Sequence, residues 1–177
     1  EDYVVASSAI KQPPGTLCDA KTHRKDAVAM VSLACVLLDT ASRRNYASDS
    51  NEAANSVLLD FKVGIHSGPV IGGVAGISRR FYRLFGDTMN TAARMCHHAP
   101  LHRIQLSQST RELLPVYIRE FLEPRGQIEV KGKGSMPTFL APDIILDHTS
   151  HNGRHDGLAQ PESFQQSMGN VVFFEEP

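Results

Sequence analysis

A chain of 177 residues, 41% apolar and 21% charged, is the size of one domain, can bury a real core, and has the composition of a soluble globular fold. A formal net charge of −1 offers no electrostatic footing for nucleic acid or anionic lipid. No apolar run is long enough to span a bilayer. Cys18, Cys35 and Cys96 are too scattered for a disulfide framework or a CxxC site, which fits a reducing, cytoplasmic setting. The first residues, Glu1-Asp2-Tyr3, are neither a start methionine nor a signal peptide, so the chain is expected to be a piece of a longer protein, with membrane attachment of that parent left open.

In chain order, Tyr3 to Ser8 reads as a strand, and Lys11 to Asp19, with Pro13-Pro14-Gly15, as a loop. Residues from about Lys25 to Arg43 carry Ala27, Met30, Val31, Ala34, Leu37, Leu38 and Ala41 at helical spacing, a wide stripe that should pack on a sheet, with Cys35 as a small core residue. Asn45 to Ser56 is polar and reads as a loop. Val57 to His66 is strand-like, Ser67-Gly68-Pro69 reads as a turn, and Val70 to Val74 as a returning strand whose neighbouring Gly72, Gly73 and Gly76 suggest a bulge or a close backbone approach. His66, in that strand and turn, reads as structural.

Phe81 to Phe85 is a further strand, after which Asp87 or Thr88 can cap a helix. On that helix Asn90 and Arg94 stand four residues apart, one above the other. An amide and a guanidinium so placed can meet a sugar and a phosphate together; the plainer alternative is a solvated arginine on an amphipathic helix. His102 to Leu106 is a short strand, and Ser107 caps a helix to about Leu114. Ile128 to Val130 and Thr138 to Ala141 read as hairpin arms around the Lys131-Gly132-Lys133-Gly134 turn. Beyond Pro142 the periodicity dissolves, leaving a short apolar patch at Val171 to Phe174. His148, His151 and His155 have spacings a zinc site could use, but they lie in a polar stretch without cysteine, so they are read as ordinary polar residues. No GxxxxGK[ST] phosphate loop occurs. Mixed strands, helices and hairpins imply an α/β (α+β) sandwich.

Two segments in order, Gly64-Ile65-His66-Ser67-Gly68-Pro69 and Phe85-Gly86-Asp87-Thr88-Met89-Asn90-Thr91-Ala92-Ala93-Arg94-Met95, together with the Lys131 to Gly134 turn and Thr138-Phe139, resemble the catalytic domain of class III nucleotidyl cyclases, and the wording is closer to the guanylate than to the adenylate cyclases. The resemblance implies a ferredoxin-like core, with a mixed, mainly antiparallel sheet and helices covering one of its faces. It implies a cyclase domain over 1–141 that lacks a match to the family's first strand, and a flexible tail or linker over 142–177. The implied reaction joins the ribose 3′-oxygen of a nucleoside triphosphate to its α-phosphorus and expels pyrophosphate, for intracellular signalling. Sites of this family lie between two such domains, so the implied partner is a second cyclase domain, identical or not.

Residue by residue, the resemblance makes Arg94 the arginine that stabilises the transition-state phosphate and Asn90 the asparagine that orients the ribose. Lys131 matches the lysine that holds the terminal phosphates and Lys133 is the lesser candidate; either could otherwise be a solvated turn lysine. Arg83 stands at the base-reading position, where adenylate cyclases usually place Asp and many guanylate cyclases Cys. An arginine can donate to guanine O6 and N7 but cannot accept from the adenine amino group, so GTP is expected over ATP. The family binds two Mg²⁺ or Mn²⁺ ions through two aspartates. One belongs to the unmatched first strand; the other aligns with Glu1, with Asp2 one residue away. Asp87 is read as a helix cap rather than a metal ligand. Two readings follow: an active cyclase half, not expected to turn over alone, or a degenerate half that binds nucleotide and a partner. A plain protein-interaction domain would have no need of Asn90, Arg94 and Lys131 together.

Overall fold

The computed structural model describes residues 2–7, 20–49, 59–77, 79–130, 132–142 and 165–175. Glu1, Cys18, Lys131 and the histidines at 148, 151 and 155 lie outside the described residues, as does the expected loop 11–19. The elements run β1 (Asp2–Ala6), α1 (Ala20–Asp49), β2 (Lys62–Ala75), β3 (Phe81–Phe85), α2 (Asp87–His98), β4 (Ile104–Ser107), α3 (Gln108–Leu113), α4 (Val116–Arg119), β5 (Glu123–Val130), β6 (Gly134–Ala141) and β7 (Gln165–Glu175). The strands form one sheet in the order β1-β7-β2-β4-β6-β5, with β3 paired to the far end of β2. Among the described residues only β2 and β4 run parallel; every other pairing is antiparallel. This is the mixed, mainly antiparallel sheet with packed helices of a ferredoxin-like α/β core.

Helix α1 is 30 residues long and overruns its predicted end. Asn45, expected in a loop, lies in its last turns. The Asn45 amide donates to the Leu59 carbonyl at 2.9 Å, and the Leu59 N–H donates back to the Asn45 Oδ1 at 2.8 Å. A residue type that usually leaves helices is used here to clamp the returning chain. The inward stripe of α1 is Ala27, Met30, Val31, Ala34 and Cys35, packed with Val63, Ile65, Ile104, Leu106, Phe139 and Ala141 of the sheet. Leu37, expected in the stripe, is exposed.

The predicted turn at Ser67-Gly68-Pro69 does not form. β2 is one strand of 14 residues, and Ser67, Gly68 and Pro69 pair with Asn170, Gly169 and Met168 of β7. A full ladder partner outweighs the local turn preference of these residue types. The partner comes from the stretch expected to be a tail: the patch Val171 to Phe174 sits between β1 and β2.

Successive residues of a strand face opposite sides of its sheet. Val63 and Ile65 belong to the α1 core, whereas a Cβ on Gly64 would lie 2.0 Å from the backbone N of Cys96 in α2. The helices therefore cover both faces of the sheet, not one, and α2 lies against β2 at backbone contact.

Candidate active site

The strand-to-helix junction that carries the candidate residues turns at Gly86, whose φ of 127° suits glycine. Gly86, not Asp87 or Thr88, occupies the cap position, and no side chain caps the helix. Thr88 instead donates its hydroxyl to the Pro69 carbonyl at 2.6 Å, tying the first turn of α2 to β2. The Thr91 hydroxyl bonds back to the Asp87 carbonyl at 2.9 Å. Thr88, Thr91, Ala92, Met95 and Cys96 are buried. Asn90 and Arg94 stand on the exposed face, one turn apart, as the spacing predicts.

The Asp87 carboxylate, freed from capping, forms an ion pair with the Lys133 ammonium, which also donates to the Thr91 hydroxyl at 3.1 Å. Lys133 sits in the Gly-rich turn between β5 and β6, where Gly132 and Gly134 have φ of 85° and 73°. The lysine ranked second from sequence is thus the one bound to the first turn of α2. Nothing in the sequence singles it out, because there Asp87 reads as a helix cap and only the structure frees its carboxylate for Lys133.

Beneath this site lies a buried polar network. The His66 Nδ1 is 2.8 Å from the Ser107 hydroxyl and 3.1 Å from that of Ser109, and Ser67 donates to the Thr110 hydroxyl at 3.0 Å. Ser107 caps α3, as expected, by accepting from the Thr110 N–H. His66 is structural in this arrangement. Burial pushes its pKa down to about 4, the nearby Lys133 pushes the same way, and Asp87 opposes. The unfolded chain therefore takes up a proton below the ordinary value of 6.5 while the folded chain does not. Stability from this group is complete at neutral pH and is lost as pH falls from that value towards about 4. Between pH 7 and pH 5 the loss is expected to be about 2 kcal/mol. Burial also lowers His23 and raises Asp26, so the comparison that isolates His66 is urea unfolding of the wild type against His66→Asn, which should show a flatter dependence on pH.

Arg83 is exposed on β3. Its neighbour Leu84 packs with Val70 and Ala92 on the α2 side, so strand alternation turns Arg83 to the side away from α2. Asp2 pairs in register with Glu175 at the end of β1. No group of three or more His, Cys, Asp or Glu side chains is placed to hold a metal ion among the described residues. The donors among the described residues do not by themselves complete a two-metal site.

Residues 1–142 match the family model for the adenylate and guanylate cyclase catalytic domain. The membrane guanylyl cyclase of Dictyostelium discoideum is 45% identical over 82 residues, which are 46% of this chain and 5% of that protein. Atrial natriuretic peptide receptor 2 of Anguilla japonica is 46% identical over 81 residues, 46% of this chain and 8% of the receptor. The chain thus spans less than a tenth of the length of these relatives. Among solved structures, the guanylate cyclase domain of RhGC from Catenaria anguillulae, in complex with GTP, superposes with a TM-score of 0.54 at 29% identity, covering 66% of this chain and 59% of that one. The adenylyl cyclase CyaB from P. aeruginosa gives a TM-score of 0.56 at 25% identity, covering 68% of this chain and 60% of that one. The chain belongs to the adenylate and guanylate cyclase catalytic domain family.

Among the described residues no helix is long and apolar enough to cross a membrane.

Proposed function

We propose that this domain is one half of a nucleotidyl cyclase that converts GTP, in preference to ATP, to the 3′,5′-cyclic nucleotide and pyrophosphate at an interface with a second cyclase domain. The observation that carries the reading is the pinned helix α2, which presents Asn90 and Arg94 together to solvent while its inner face is fixed to β2. Asn90 would hold the ribose by donating and accepting hydrogen bonds. Arg94, permanently charged and forked, would neutralise charge gathering on the α-phosphate oxygens as the 3′-oxygen attacks and pyrophosphate departs. Metal ions, Mg²⁺ or Mn²⁺, would help activate the nucleophile, held by residues outside those described or by the partner half. The preference for GTP is supported by Arg83 at the base-reading position and by the guanylyl cyclases among the relatives.

The surface beside α2 supports a partner domain. Val74, Ile77, Phe81, Tyr82 and Phe85 are all exposed along β2, β3 and the turn between them. Val74 and Tyr82, opposite each other in the register, share one face of the sheet, and an exposed apolar pair beside the candidate site supports an interaction surface there.

Lys131 is proposed to bind the terminal phosphates, with Lys133 held by Asp87 as the brace of the turn that carries it. Lys131→Ala is then expected to raise KM for the triphosphate about tenfold, a loss near 1.4 kcal/mol. Lys133→Ala should instead lower kcat and stability together, because it loosens the turn. Steady-state kinetics beside a denaturation curve for each variant separates the two roles, and the reverse assignment would follow if Lys133→Ala alone raised KM.

A second reading, a half that binds nucleotide and partner without making product, rests on Arg83 and on Glu1 where the resemblance implies aspartate. Nucleotide binding without cyclic product from an assembled pair would favour it.

A further inference from the structure

The family match ends at residue 142, yet the sheet does not. Strand β7 has 11 residues and enters between β1 and β2. On one side it pairs with β2 from Lys62↔Glu175 to Gly72↔Gln165, and on the other with β1 from Asp2↔Glu175 to Ala6↔Val171. Among the described residues β1 has no other strand partner. The middle of β2, from His66 to Val70, also has no other ladder, because β4 pairs only Val63 to Ile65 and β3 only Ile71 to Ala75.

The two halves of β7 differ. Val171 to Glu175 is clamped between two strands, so every backbone N–H and C=O there faces a neighbour. Gln165 to Asn170 pairs with β2 alone. That half is polar and lies against the glycine-containing run Ser67 to Gly72, where register is weakly specified. The apolar half is therefore the anchor and the polar half the free edge.

The docking reaches the candidate site. Ala6, the last residue of β1, packs with Val70 and Ala92, the pair that seats α2 on the sheet. Pro69, which holds Thr88, lies in the stretch of β2 whose only ladder partner among the described residues is β7. Strand β7 joins these pieces into one platform.

We infer that the gap between β1 and β2 is a strand-binding slot, and that residues 165–175 are its ligand, docked within the same chain to hold β1 and the Asn90/Arg94 helix on one sheet. The C-terminal segment is then a working part of the cyclase domain rather than a tail. This rests on the cyclase reading only for its functional consequence; the docking itself is a statement about the sheet.

Two measurements on the full chain test it. In Val172→Pro the clamped half loses a ladder N–H and gains a ring in a central strand. The backbone amides of β1 that donate to β7 are then expected to exchange hydrogen at least tenfold faster than in the wild type, while those paired between β5 and β6 keep their protection. Unchanged protection of β1 would overturn the inference. Because the proline variant could fail to fold, the second measurement pairs Val4→Cys with Phe173→Cys, which are opposite each other in the register. Opposed strand residues are close enough for a disulfide. Mild oxidation should link the two introduced thiols within one chain, found by peptide mapping at monomer mass. Absence of that link, or a link found only between two chains, would overturn docking within the chain. Neither readout depends on turnover, so failure of the cyclase reading would leave both results interpretable.

Discussion

Arg94→Ala is expected to lower kcat of the assembled cyclase by two to three orders of magnitude, about 3–4 kcal/mol of transition-state stabilisation. The expectation follows from where the side chain stands. Arg94 is exposed on α2, so its removal leaves no cavity and should change stability by no more than about 0.5 kcal/mol. The helix that carries it is fixed from beneath by the Thr88 bond to Pro69 and by backbone contact at Gly64. The loss should therefore appear in the chemical step, with KM for the triphosphate little changed. Arg94→Lys keeps the charge but not the fork, and should recover only part of the rate. Initial rates of product formation at saturating triphosphate, beside a denaturation curve for each variant, provide the check. A fall of less than about threefold would mean that Arg94 does not touch the reacting phosphate.

Gly64→Ala should be severely damaging to the seating of α2. A Cβ there would meet the Cys96 N, the Cys96 Cα and the Met95 carbonyl carbon at 2.0, 2.5 and 2.6 Å, all of them backbone atoms. No rotamer change can relieve such a contact, so α2 must move off the sheet. The Cys96 thiol, which bonds the Lys62 carbonyl at 3.2 Å, and the Thr88 bond to Pro69 would be pulled with it. The expected cost is more than about 3 kcal/mol, at or beyond the upper end for overpacking. Because Asn90 and Arg94 ride on the same helix, turnover should fall with stability. Gly126→Ala is the control: nothing lies within 4 Å of its Cβ, and only its φ of 116° resists a side chain. That variant should lose about 1–2 kcal/mol. Urea midpoints at constant slope would show the difference, and near-equal costs would mean that α2 does not lie against β2 as described.

The local signals in this sequence are strong where the chain uses short-range chemistry. Ser107 caps α3 and glycines turn the β5–β6 hairpin, and each is readable because the residue type and the geometry lie within a few residues of one another. Asn90 and Arg94 share an exposed helix face for the same reason. What was not legible depends on partners far along the chain. Ser67-Gly68-Pro69 has the composition of a turn and becomes strand only because residues 168–170 pair with it. Val171 to Phe174 is too short a patch in polar surroundings to announce a strand between two others. Asn45 reads as a loop residue until Leu59 supplies both halves of its amide bond. Asp87 reads as a cap until the positive φ of Gly86 gives that position to glycine and leaves the carboxylate for Lys133. The roles of Arg83, Lys131, Glu1 and Asp2 rest on the resemblance alone.

The most direct test of a half-site that makes cyclic GMP is complementation. The full chain is mixed with a guanylate cyclase domain that keeps its two metal-binding aspartates but has lost its own counterparts of Asn90 and Arg94, and GTP or ATP is supplied with Mn²⁺. Cyclic GMP should form only in the mixture, should exceed cyclic AMP, and should vanish when this chain carries Arg94→Ala. A stable mixed dimer that binds GTP yet forms no cyclic product, or product that persists with Arg94→Ala, would contradict the account.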